Sequence, residues 1–205
     1  VAAQNGVTLE SASKVTGGGT LRGEITGQTG SAVEVTQPAM TLGLNSSTNG
    51  VDFSLGSGIA LNGNALHLRD ADWAEIAGLI TMDDGSVLSS DNGVLLETIG
   101  AIQLDASANA NIAGPFRNNG SVTGPTTGAL TISGPLSGNG VFTGLVTAEH
   151  NLAPGESIGS MRFDSLTLGE QSVFKVEIAG NLRGGQAQFG DETDLQLGGY
   201  DWIDV

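Results

Sequence analysis

Residues 132–155 read ISGPLSGNGVFTGLVTAEHNLAPG: a short apolar stretch, a glycine corner, a second stretch, another glycine corner, a third stretch and a Pro-Gly turn. Residues 15–35, VTGGGTLRGEITGQTGSAVEV, carry the same order of strand and glycine-rich corner. What recurs is the placement of apolar residues and glycine rather than their identity, which is how solenoid coils repeat. Coils of roughly 20 residues would number about ten along such a chain, a rod of ~50 Å at the ~4.8 Å spacing of stacked strands.

The same texture extends outward in both directions. Apolar residues recur at every second position over a few residues, as in 51–55, 65–68, 101–104 and 173–178, and glycine or Asn-Gly then interrupts them. Asn-Gly stands at 5–6, 49–50, 62–63, 92–93, 119–120 and 139–140, and such pairs tolerate the positive φ of sharp corners. Two-residue hairpins would need longer matched strands on either side. The corners come too often for that. The reading is all-β: a right-handed parallel β-helix with irregular coils and short side loops, one domain over 1–205, whole or a segment of a longer solenoid. Residues 20–25 read as one strand, 69–76 as a loop or single turn protruding from the strands, and 173–178 as a strand in the closing series.

The 205 residues are 39% hydrophobic, enough for a core, but only 4% are aromatic and 33 are glycine. The core must therefore be built from small side chains in narrow layers, which suits a thin stack. Twenty-two acidic against 7 basic residues leave a net charge of -15, a balance that repels nucleic acid and anionic lipid heads. With no cysteine there is neither a disulfide framework nor a thiolate metal site, and no apolar run approaches the roughly 20 residues of a membrane helix.

Residues 114–180 carry a family resemblance. Gly138-Asn139-Gly140-Val141-Phe142-Thr143-Gly144 fills a G-x-G-x-[FLY]-x-G step, Ala153-Pro154-Gly155-Glu156-Ser157-Ile158-Gly159 fills an [SA]-P-G-[NE]-S-x-G turn, and an alternating series ends in Val176-Glu177-Ile178. This resembles the β-helical coils of bacterial autotransporter-type and filamentous-haemagglutinin-like passenger domains and related surface or matrix proteins. The resemblance implies a secreted or cell-surface, elongated β-helix that projects or assembles. The chain departs from the best-known autotransporters in showing no membrane barrel within these residues.

Several groupings could carry chemistry. A nucleophile needs a base and an orienting carboxylate, and Ser157 has His150 seven residues before it and Asp164 seven after. Its G-x-S-x-G letters lack the strand-turn-helix context of a nucleophile elbow, so Pro154-Gly155-Glu156-Ser157 is read as a coil corner and no catalytic residue is assigned. Carboxylate pairs at Asp70 and Asp72, Asp83 and Asp84, and Asp191 and Asp194 are the candidates for glycan or calcium contact, with Trp73 beside the first pair. None matches a known calcium-loop pattern, so solvated turns, with calcium as the one ion they could hold, are the expectation, and no cofactor is assigned.

The functional expectation is an extracellular structural or adhesive solenoid, an adhesin, matrix or filament subunit. It would associate with its own kind end to end or side by side, or with a glycan, host or matrix surface, without inserting into a membrane. One alternative is a secreted glycoside hydrolase or lyase using the 70–73 loop. The other is a passive carbohydrate-binding module with Trp73, Tyr200 and Trp202 as platforms.

Overall fold

The computed structural model describes residues 6–43, 50–54, 56–155, 159–177 and 202–205, the last stretch only in its backbone at residue 202. Residues Glu156 to Ile158 of the Pro-Gly turn, and Asp191, Asp194 and Tyr200, lie outside these. The described chain is a parallel β-solenoid without helix. Eight short strands, Val7–Leu9, Ile25–Gly27, Val51–Phe53, Ala74–Ile76, Val94–Leu96, Phe116–Asn118, Leu136–Gly138 and Leu152–Pro154, stack in order as one face. The remaining strands form a continuous 13-stranded sheet that wraps two further faces.

Two segments per coil supply those faces. In the middle coils they are separate strands: Gly58–Ala60 and Ala65–Arg69, Leu79–Met82 and Val87–Ser90, Ala101–Leu104 and Asn109–Ala113, Ser121–Thr123 and Ala129–Ile132. Near the ends a single strand, Lys14–Leu21, Ala32–Gly43, Val141–Ala148 or Ser160–Leu168, turns from the second face to the third. The bend leaves register breaks between Gly17 and Gly19 and between Phe142 and Leu145. Every strand pairing is parallel to the segment one coil away, so the cross-section is three-sided.

Alternation places one set of side chains inside. Ile25, Val51, Ala74, Val94, Phe116, Leu136 and Leu152 line up behind the first face. Val33, Ile59, Ile80, Ile102, Val122, Phe142 and Phe163 line the second. Met40, Leu66, Leu88, Ile112, Ile132 and Ala148 line the third. All of them are buried. The C-terminal coils fill their core with stacked aromatics: Phe142 lies on Phe163 at 4.7 Å and meets Phe116 edge-on at 6.4 Å. Room for a ring can also come from a missing side chain. A Cβ at Gly27 would collide with the Phe53 ring of the next coil.

The stack is shorter than coils of constant length suggest. Eight strands on the first face make seven steps, ~34 Å at the strand spacing, rather than about ten coils. Up to Ser160–Leu168, register partners stand as few as 16 residues apart, Leu136 to Leu152, and as many as 26, Ile25 to Val51; the last rung pairs Ser160 with Trp202, 42 residues on. Three local expectations change with it. Residues 20–25 are split by a corner at Arg22 to Glu24, where Gly23 has φ 127°. Residues 69–76 do not protrude: both ends are ladder strands, and Asp70 between them is 3% exposed. Residues 173–177 form no strand; Phe174 makes one parallel bridge to Leu152, while Val173, Phe174 and Val176 are exposed. At this end the apolar side of the segment has no further coil among the described residues to cover it. Trp202–Asp204 nonetheless adds a rung to the second face, pairing with Ser160, Met161 and Arg162. Of the expected corner at Pro154 to Ser157, Pro154 closes a first-face strand and Gly155 follows it with φ 82°, its amide donating to Gly138 O at 2.7 Å.

Candidate functional site

An acidic groove lies on the outside of the first face. Parallel register runs Thr26, Asp52, Glu75, Leu95 and Arg117 up this face as one outward column. Between Asp52, Glu75 and the corner that carries Asp70, Asp72 and Trp73 lies a groove of about 270 Å³, with Glu24 at its lower rim. Two carboxylates one strand spacing apart are therefore fixed by the fold, with an indole beside them.

Asp70 belongs to the scaffold of this groove. Its Oδ2 accepts from the amides of Gly50 at 3.1 Å and Val51 at 2.8 Å, and its Oδ1 accepts from the Asp72 amide at 3.0 Å. Asn92 Nδ2 donates to the Asp70 carbonyl at 2.6 Å, tying in the next coil. A carboxylate is needed here because the corner leaves three amides pointing at one spot. Trp73 is likewise used by the fold. A Cβ at Gly93 would collide with its ring, so the indole lies along the stack over that glycine, and the Arg117 guanidinium sits 4.6 Å from the ring centroid.

Electrostatics set Asp52 and Glu75 apart from the scaffold carboxylate. Loss of water in the groove raises the Asp52 carboxyl above its ordinary value. Glu75 is raised first by burial and then by the charges of Glu97, Asp52, Asp70 and Asp72. Such a pair can accept hydrogen bonds from a hydroxyl-rich ligand, and a carboxyl that holds its proton more readily can donate one.

Of the residues singled out in the sequence, Asp70, Asp72 and Trp73 do meet at this groove. Asp83 and Asp84 do not; they form the corner between the second and third faces, where Asp84 Oδ1 accepts from the Asn109 amide at 2.8 Å and from Asn109 Nδ2 at 3.0 Å. Those bonds lower the Asp84 carboxyl. Among the described residues no three His, Asp or Glu side chains are placed to hold a metal ion. Asp52, Glu75 and Arg117 were not legible as partners, because their separations follow coil lengths that vary. No family model, curated protein or solved structure matches this chain.

Proposed function

We propose that the chain is an extracellular structural or adhesive solenoid, of the kind that projects from a bacterial surface or builds a matrix or filament by contact between copies. The observation that carries this reading is the distribution of charge. On the second face the outward positions of the middle coils, Gly58, Leu79, Ala101, Ser121, Val141 and Ala60, Thr81, Gln103, Thr123, Thr143, hold no charged residue, while the same columns continue into Lys14 and Glu34 at one end and Arg162 and Asp204 at the other. Leu79 and Val141 are exposed there, beside exposed Ile99. Acidic residues stand instead at corners, as Glu24, Asp72, Asp84, Glu97 and Glu149 do, on the first face, as Asp52 and Glu75 do, or in the end coils of the second, as Glu34 and Asp204 do. In a chain of net charge -15, this is a flat strip along which like copies can approach with least repulsion.

Sedimentation velocity across a concentration series, with and without calcium, tests the proposal. Association that rises with concentration and is abolished by Leu79→Glu combined with Val141→Glu supports it. A monomer under all these conditions overturns it.

A second reading rests on the groove: the Asp52–Glu75 column beside Trp73 has the composition of a glycan-contacting site, and a carboxylate pair is also what a glycosidase needs. Binding of acidic or neutral oligosaccharides, lost in Asp52→Asn and Glu75→Gln, supports glycan contact. New reducing ends in the parent protein alone would make it an enzyme.

A further inference from the structure

The third face carries a second arrangement, separate from both the groove and the uncharged strip. Register sets His67 against Ser89 of the next coil, and the following outward positions are Arg69 and Asp91. His67 Nδ1 lies 2.9 Å from Ser89 Oγ, and His67 Nε2 lies 3.0 Å from Asp91 Oδ1. Arg69 Nε donates to Asp91 Oδ2 at 3.1 Å. The carboxylate can only accept from Nε2, so the neutral imidazole keeps its proton there and presents the Nδ1 lone pair to the serine hydroxyl. The competing acceptor of that hydroxyl, Leu66 O, is farther away at 3.3 Å.

We propose that Ser89 is a nucleophile with His67 as its general base and Asp91 as the group that orients the base, and that it takes an acyl group from activated esters. In the step, Oγ bonds to the acyl carbon while its proton passes to His67 Nδ1. The bond to the leaving oxygen then breaks, and that oxygen recovers the proton from Nδ1, leaving an ester on Ser89 and a neutral imidazole. Arg69 neutralises Asp91, so the relay carries no net charge while His67 is neutral. Ser89 stands in register with His67 on one side and Ala113 on the other. The strand amides around it serve the ladder rather than forming an oxyanion hole, so substrates are confined to acyl donors with good leaving groups rather than amides. On the side away from His67 the neighbour, Ala113, carries only a methyl group.

The test is the full chain incubated with p-nitrophenyl acetate, followed by intact-mass and peptide-level mass spectrometry. A single acetyl group on Ser89, absent in Ser89→Ala, is expected, and His67→Gln should slow its formation by about 10²-fold or more, the usual worth of a general base. Added imidazole should restore labelling in His67→Ala, a recovery that a merely structural histidine would not give. Asp91→Asn, which leaves the imidazole in place, should slow labelling as well. Acetylation spread over other serines, or labelling of Ser89 at the parent rate in folded His67→Gln or in Asp91→Asn, would overturn the assignment.

Discussion

Asp52, Glu75 and Asp70 lie within one groove yet differ in what their charge does. Asp70 satisfies three amides, so its removal strands buried donors: Asp70→Ala is expected to cost roughly 3 kcal/mol in urea unfolding, and Asp70→Asn less, because one carbonyl acceptor survives. Asp52 and Glu75 face each other as like charges in register. Their raised carboxyls bind protons more readily in the folded than in the unfolded chain. Stability from this pair is therefore gained as pH falls through the raised values towards the ordinary carboxylate range, and it is lost as pH rises through them. Asp52→Asn or Glu75→Gln should then stabilise the protein by about 0.5 kcal/mol at neutral pH, a screened figure for partly exposed groups. Melting temperatures of variant and parent should converge in acid. Asp91, held down first by Arg69, has the opposite sign: what it contributes is present at neutral pH and lost as pH falls through its lowered value.

At the scale of the strand, a solenoid rung is stable only between two others. Phe142 shows what one rung contributes, since it touches the rings of Phe116 and Phe163 and is wholly buried. Phe142→Ala should cost about 3–5 kcal/mol by chemical denaturation. Corners are governed by what the next coil brings to them. Gly93→Val would drive the indole of Trp73 off the stack and separate it from Arg117, and the tryptophan emission should shift to the red. The alternating segment at 173–178 has the sequence of a strand, but its described residues, 173–177, make only one bridge, because strand character in this fold requires a neighbouring coil as well as a pattern.

For the whole molecule, each coil contacts chiefly the coils before and after it, and stability is close to a sum of coil and interface terms. Hydrogen exchange should consequently be slowest at central rungs such as those of Ile80 and Ile102, and faster at Val7–Leu9 and at Phe174, which have one neighbour or an incomplete one. Uniform protection along the stack would contradict this. The placement of acid at corners and on the first face, with neutral residues along the middle coils of the second, is also a whole-molecule property. No local segment displays it, since each coil contributes only two or three outward residues to a given face.

The architecture was readable in the chain because its causes are local: period-two apolar residues build strands, and glycine and Asn-Gly at short intervals build corners. Composition pointed to a narrow core of small side chains, but the core also takes in Phe53, and with it Phe116, Phe142 and Phe163, whose stacking depends on register between coils. Which residues meet across coils was not readable. His67 lies 22 residues from Ser89 and Asp52 lies 23 from Glu75, while register partners stand anywhere from 16 to 42 residues apart, so no fixed offset pairs them. Proximity in sequence drew attention to His150 beside Ser157, whereas the histidine that meets a serine and an aspartate is His67, whose partners stand one coil away. In a solenoid the strand pattern is set along the chain, but the site is set by register between coils, and only the folded stack fixes that register.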